Sequence, residues 1–104
     1  MQSLIELSHD LRSIFEGLGE SGENELKRVL KAGFKEFLKE CEEEILEFEI
    51  KYGLPFEKFK EGFEAGKFGD PGSYPLEKDA MVWEDLIKEK QIRLESIRKL
   101  ERLS

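Results

Sequence analysis

One segment, between residues 23 and 53, constrains the fold more than any other part of the chain. It contains no proline, and its large apolar residues recur every three or four positions, which is the spacing of one helical face. Glu23 and Glu25 favour a helix N-terminus, and Gly53 suits the position just after a helix end. The stripe consists of Leu26, Leu30, Phe34, Phe37, Cys41, Ile45, Phe48 and Tyr52. This pattern predicts one α-helix over residues 23–52.

A helix of this length needs a long companion. At about 1.5 Å per residue it extends over roughly 45 Å, which is longer than a compact domain of this size is wide. The companion is predicted near the C-terminus, over residues 76–102, where large apolar residues recur at helical spacing after Pro75. Three pairs of opposite charge one turn apart support this helix: Glu84 with Lys88, Glu89 with Arg93, and Glu95 with Lys99.

Two shorter helices are predicted outside the long pair. Ser3 and Glu6 fit a capping box at the start of a helix over about residues 4–16, within an arm of residues 1–18 that a glycine-rich linker follows. A short helix over residues 55–65 is expected to begin at Pro55, which suits a first helical position. Pro71 and Gly72 fit the two central positions of a type II turn.

These elements predict an all-α fold. The expected architecture is an antiparallel hairpin of two long helices, with a short helix at the bend and an N-terminal helix, in a single domain of residues 1–104. The chain contains no alternating strand pattern, internal repeat or low-complexity tract. Two such hairpins are expected to pair into a coiled, helical-bundle dimer, since pairing would bury both apolar stripes.

Composition limits the classes of protein to which the chain can belong. Apolar residues make up 38% of the 104 residues and charged residues 39%, with a mean hydropathy of -0.55, so the chain is expected to fold in water. No apolar run approaches a membrane span of about 20 residues, and the N-terminus does not resemble a signal peptide. The single cysteine, Cys41, fits a buried thiol in a reducing compartment. A cytoplasmic protein with no membrane partner is therefore predicted.

The charge balance narrows the range of partners. A net charge of -7 and a pI of about 4.9 argue against nucleic-acid binding, which needs clustered Lys and Arg side chains. An acidic chain prefers basic partners. The chain has twenty Glu but two Gln, one Asn and no Thr, a bias that is common in thermophilic proteins.

The sequence contains no set of residues that is arranged for catalysis. Ser8, His9 and Asp10 have the residue types of a catalytic triad, but they are consecutive on a predicted helix and point in different directions. His9 is the only histidine, which leaves no set of zinc ligands and no histidine for a di-iron bundle. We therefore expect no catalytic residue, no cofactor, no metal and no enzymatic activity.

Acidic residues on the long helix form the first candidate binding feature. Glu43, Glu44 and Glu47 are predicted to lie on an acidic face, which Lys39 and Lys51 offset only in part. Residues 36–64 contain ten Glu against four Lys, whereas residues 88–102 contain six basic and three acidic residues. This difference could hold the hairpin together, or the acidic face could attract a basic partner.

The residues around the bend carry a resemblance to a known family. The segment from Tyr52 to Phe59 reads Tyr-Gly-Leu-Pro-Phe-Glu-Lys-Phe, and Gly66 to Asp70, Tyr74, Glu77 to Asp79 and Trp83-Glu84 follow. This pattern resembles that of small archaeal and bacterial antitoxin-like proteins. In those proteins a long helix ends in Tyr-Gly-Met-Ser-Phe-Glu-x-Phe, and Glu-Lys-Asp-Tyr-x-x-Trp-Glu opens the last helix. The match covers about residues 48–86, and Pro55, Ala80 and Met81 depart from the pattern.

The resemblance implies a function of binding a protein partner. It implies that the chain covers and neutralises a small cognate toxin, often a basic RNA-cleaving protein. The partner-facing residues would be Tyr52, Phe56, Phe59, Asp79, Trp83 and Glu84. Glu43, Glu44 and Glu47 would supply long-range attraction. Two alternatives remain open: a homo-oligomeric helical scaffold or adaptor, and a carboxylate-lined metal or small-ligand site within a bundle.

Overall fold

The computed structural model describes residues 9–17, 19 and 22–103. These residues form four α-helices and no strand: α1, His9–Glu16; α2, Gly22–Tyr52; α3, Phe56–Glu64; and α4, Tyr74–Arg102. The predicted all-α hairpin of two long helices is confirmed, with the short helix α3 at its bend. Within this described part of the chain, no helix is both long enough and apolar enough to cross a membrane.

The helix ends differ slightly from the prediction. Pro55 is extended, with φ -70° and ψ 161°, and it precedes α3 as its N-cap where a first helical residue was predicted. α4 begins at Tyr74, two residues earlier than predicted, because Pro75 fits within the first turn of a helix. Gly53 ends α2 as predicted, with φ 71° and a hydrogen bond of 2.7 Å from its N–H to the carbonyl of Glu49. The proposed capping box at Ser3 and Glu6 lies outside the described residues.

The turn before α4 is not of type II. The N–H of Ser73 donates to the carbonyl of Asp70 at 2.9 Å, so the turn closes around Pro71 and Gly72 as expected. A type II turn requires a positive φ at its third residue, and Gly72 is not among the described glycines that have one. Instead, the Asp70 side chain accepts a hydrogen bond of 2.9 Å from the Gly72 N–H, a local bond that is common for Asp in turns.

The chain divides into two compact units, Met1–Gly33 and Phe34–Ser104. The first unit contains α1, where Leu11 and Ile14 are exposed, and the beginning of α2. There the first turns of α2 carry two local ion pairs, Lys27 with Glu23 at 3.7 Å and Arg28 with Glu25 at 3.0 Å. The single folding domain of residues 1–104 stays a prediction, as does the pairing of two hairpins into a dimer.

The second unit contains the hydrophobic core. The two long helices run antiparallel, so the apolar stripe of α2 faces that of α4, and α3 closes the end of the hairpin. The buried cluster consists of Cys41, Ile45, Phe59, Leu76, Trp83 and Leu86. Phe59 and Trp83 have no exposed surface. Because each buried aromatic side chain removes about 150–250 Å² from water, these two residues anchor the unit.

Charged side chains line the hairpin alongside its core. The Arg93 guanidinium lies 4.8 Å from the ring centroid of Phe37 on α2, and it pairs with Glu89 at 3.2 Å. The predicted pair of Glu84 and Lys88 is also confirmed, at 3.8 Å. Glu95 lies 3.7 Å from Arg98, one position before the Lys99 partner that was predicted.

Candidate functional site

Seven aromatic side chains meet at the bend. Tyr52 and Phe48 of α2 stack on Trp83 of α4, with ring centroids 5.9 Å and 5.3 Å away. Phe59 of α3 lies 4.8 Å from Trp83 and 5.2 Å from Phe68 of the following loop. The complete cluster is Phe48, Tyr52, Phe56, Phe59, Phe63, Phe68 and Trp83. The 3–4 residue spacing on each helix puts these rings on inward faces, so the cluster is mainly the core of the hairpin end.

Two residues of the predicted partner-facing set, Phe59 and Trp83, are fully buried. Phe59 and Trp83 are 0% exposed, so in this conformation they cannot contact a partner directly. The reason is helical phase: both lie in the middle of the stripes that face the other helices. They can shape a binding surface only by holding other residues in position.

Tyr52 and Asp79 of the predicted set form a polar contact between the long helices. The Tyr52 hydroxyl and the Lys51 ammonium each donate to Asp79 Oδ2 at 2.6 Å. Burial and the bond to Asp79 raise the pKa of Tyr52 to about 12. Partial burial raises the pKa of Asp79, but the bonds from Lys51 and Tyr52 outweigh this effect, so the pKa lies below its usual value. Lys51 is therefore paired with Asp79. The sequence had suggested instead that Lys51 offsets part of the charge of Glu47.

Phe56 and Glu84, the remaining predicted residues, border a small cavity between α3 and α4. The cavity has a volume of about 110 Å³, and Phe56, Phe59, Phe63 and Ala80 form its apolar walls. Glu84 lies 3.8 Å from both Lys60 and Lys88 at its rim. Phe56 is half-buried, so of the predicted aromatic residues only Phe56 and Tyr52 keep some surface for a partner.

Three exposed apolar residues of α4 near the bend were not predicted as partner contacts. Tyr74, Met81 and Val82 on the outer face of α4 are 74%, 60% and 39% exposed. They line a shallow cavity of about 420 Å³ together with Glu77, Lys78 and Asp85. We call Tyr74, Met81 and Val82 the α4 patch. Their spacing in the sequence could have indicated this exposure. Tyr74 and Met81 lie seven residues apart, so they share a helical face, and that face is roughly opposite Trp83.

The three residues of the predicted acidic face are exposed. Glu43, Glu44 and Glu47 all lie on the solvent side of α2. The same helix also exposes Leu46 and Ile50, at 53% and 73%, which the sequence had not marked as surface residues.

The remaining reactive groups show no arrangement for chemistry. Cys41 is 4% exposed, and burial, with Glu89 close by, raises the pKa of its thiol, which keeps the less reactive protonated form. Within residues 9–17, 19 and 22–103, no three His, Cys, Asp or Glu side chains are grouped so that they could hold a metal ion.

Comparison of the chain with family models, with curated proteins and with solved structures finds no match.

Proposed function

We propose that this protein is a non-catalytic binding module that holds a small basic protein, in the manner of an antitoxin that covers its toxin. The observation that carries the proposal is the α4 patch, where Tyr74, Met81 and Val82 are exposed together on an acidic chain. Aromatic residues and methionine are enriched at protein interfaces, and they often supply the contacts that dominate binding energy.

Charge supports the choice of a basic partner. The chain has a net charge of -7, and Glu43, Glu44 and Glu47 are exposed on α2. Complementary charges accelerate the encounter of two proteins and suppress binding of partners with the same sign. The resemblance of the bend to antitoxin-like proteins supports the same function, with occlusion of the partner as its mechanism.

A homo-oligomeric scaffold is the second candidate. The observation in its favour is that both long helices expose apolar residues away from the bend, such as Leu46 on α2 and Ile92 on α4. A second copy could cover such residues. The two candidates predict different compositions of the purified complex.

The test is co-expression of the tagged chain with its neighbouring genes, followed by affinity purification and mass spectrometry. A Met81→Asp variant places a charge in the α4 patch. Ile92→Asp is a matched control, because Ile92 lies on the same helix and is 59% exposed, against 60% for Met81. The proposal expects a stoichiometric basic protein with the wild type and with Ile92→Asp, but not with Met81→Asp. Recovery of a clean self-dimer alone would favour the scaffold.

A further inference from the structure

A second surface lies on the outer side of α2, and it combines apolar and acidic side chains. On a helix the neighbours of a residue are those three and four positions away. For Leu46 these neighbours are Glu42, Glu43, Glu49 and Ile50. Leu46 is thus surrounded by three carboxylates and one apolar side chain. We call these five residues the α2 surface.

The apolar centre of the α2 surface is open to water. Leu46 is 53% exposed and Ile50 is 73% exposed, so the two side chains form a continuous apolar strip one helical turn long. Leu46 also lines a shallow groove of about 390 Å³, together with Lys39, Glu42, Glu43, Ile45 and Glu49 of α2 and Lys90 of α4. Ten residues of helix extend over about 15 Å, so the groove is long enough for two to three turns of a second helix.

The charge around this strip is strongly negative. Residues 40–50 contain six Glu and no basic residue. Lys51, the next cation along the helix, is bound to Asp79 at 2.6 Å. Among the described residues, no ion pair involves Glu42, Glu43 or Glu49. Lys39 and Lys90 offset part of the charge at the groove edges, and the centre remains acidic.

We propose that the α2 surface binds a basic amphipathic helix of a protein partner. Leu46 and Ile50 would pack between apolar side chains of that helix, and Glu42, Glu43 and Glu49 would face its Lys or Arg side chains. An amphipathic helix meets such a surface with apolar residues three or four positions apart and charges beside them. A second copy that presented this same surface would bring its own glutamates against these, which opposes self-pairing here. The inference rests on the proposed protein-binding function and adds a surface distinct from the α4 patch.

The test uses the full chain and a fluorescent helical peptide that carries Leu at spacings of three and four, with Lys at the flanking positions. A peptide of the same composition in scrambled order keeps the charge but loses the apolar stripe. We expect the Leu46→Ser/Ile50→Ser variant to bind the ordered peptide roughly tenfold more weakly than the wild type. Val29→Ser/Ile92→Ser is the matched control, because both residues are 59% exposed and lie outside the α2 surface and the α4 patch. This variant should bind the peptide like the wild type.

The role of the α2-surface glutamates is tested separately, by measuring how the peptide affinity depends on salt concentration. Glu43→Gln/Glu49→Gln should weaken binding of the ordered peptide and make the affinity less dependent on salt concentration, because fewer charges attract the peptide. Glu57→Gln, at an exposed position of α3, is the control for a lost surface charge. Circular dichroism and the fluorescence of Trp83 establish that each variant is folded.

Three outcomes would overturn the inference. Equal affinity for the ordered and scrambled peptides would mean that charge alone binds them. Unchanged affinity in Leu46→Ser/Ile50→Ser would remove the apolar strip from the site. A change from dimer to monomer in that variant, measured by sedimentation, would identify a second copy as the occupant. If a basic protein is still captured in a Met81-dependent manner while the α2 variants have no effect, the proposed function stands and only this inference fails.

Discussion

At the scale of single residues, Asp79 connects the two long helices through one carboxylate oxygen. This oxygen accepts hydrogen bonds from both Tyr52 and Lys51 of α2, and the Asp79 side chain is 18% exposed. A hydrogen bond to a charged group in such a setting is worth about 1.5–3 kcal/mol. Asp79 is thus a structural link next to the aromatic cluster.

The Asp79 link should be sensitive to acid. Its pKa in the folded protein lies below the usual value, so its contribution to stability is present above the unfolded pKa of about 3.9 and is lost as pH falls through the folded pKa. Asp79→Asn should therefore lower the free energy of unfolding by about 1–2 kcal/mol at pH 7. It should also reduce the loss of stability in acid, measured by urea denaturation at several pH values. Asp85→Asn, exposed on the same helix, should show neither effect.

Tyr52 should titrate at the alkaline end. Its pKa is raised from 10.0 to about 12, so stability is fully present below the unfolded pKa and falls as pH rises through the folded value. The chain has two tyrosines, so Tyr74→Phe leaves Tyr52 as the only one. We expect its tyrosinate absorbance in that variant to appear near the raised value of about 12. Titration near the ordinary value of 10.0, while circular dichroism still shows a folded protein, would contradict this prediction.

At the scale of elements, the short helix α3 is fitted closely to the loop that follows it. Gly62 is buried, and a Cβ placed there would come within 2.6 Å of the Phe68 ring. Phe68 stacks on Phe59, so its ring cannot move without disturbing the core. A glycine in a helix normally lowers stability relative to alanine. At position 62 the closeness of the Phe68 ring leaves no room for a Cβ, which explains why glycine is present.

The two helical glycines should respond to alanine in opposite directions. Gly62→Ala should lower the free energy of unfolding by about 1–3 kcal/mol, because an extra methyl group overpacks the contact with Phe68. Gly33→Ala in α2, where a Cβ would meet nothing within 4 Å, should raise it by about 0.5–1 kcal/mol through helix propensity. Thermal unfolding followed by circular dichroism measures both. A stabilised Gly62→Ala variant would mean that Phe68 can move freely.

At the scale of the whole molecule, stability depends on few large side chains. The buried hydrophobic residues number only seven among the described part of the chain, and Phe59 and Trp83 are the largest that are fully buried. Small domains are stable by about 5–15 kcal/mol in total. The loss of one such side chain therefore removes a large share of the total stability and lowers the fraction of molecules that are folded.

Phe59→Ala and Trp83→Ala should each destabilise the protein by about 3–5 kcal/mol, since they leave a cavity in the core. Phe37→Ala is the comparison, because Phe37 is 45% exposed and should cost less. Urea denaturation followed by circular dichroism gives the three values. If Trp83→Ala abolished partner capture while its free energy of unfolding stayed at the wild-type value, Trp83 would be a partner contact after all.

Local signals in the sequence were sufficient to predict the helices and most of their ends. Apolar spacing, Gly53 and Pro75 act within a few residues of their own positions, so α2, α3 and α4 were predictable to within about two residues. The acidic side of α2 was predictable for the same reason, since residues three and four apart share a face wherever the helix packs.

Local spacing could not predict which side chains remain available for a partner, because this depends on packing between helices. The rotation of α4 against α2 and α3 buries Trp83 and exposes Met81. The same rotation brings Asp79 to Lys51, which pairs with it and not with Glu47. That rotation results from packing among residues far apart in sequence, such as Phe48, Phe59 and Trp83. The resemblance at the bend pointed to the aromatic residues themselves, and packing turned the largest of them inward and left the α4 patch and the α2 surface outside.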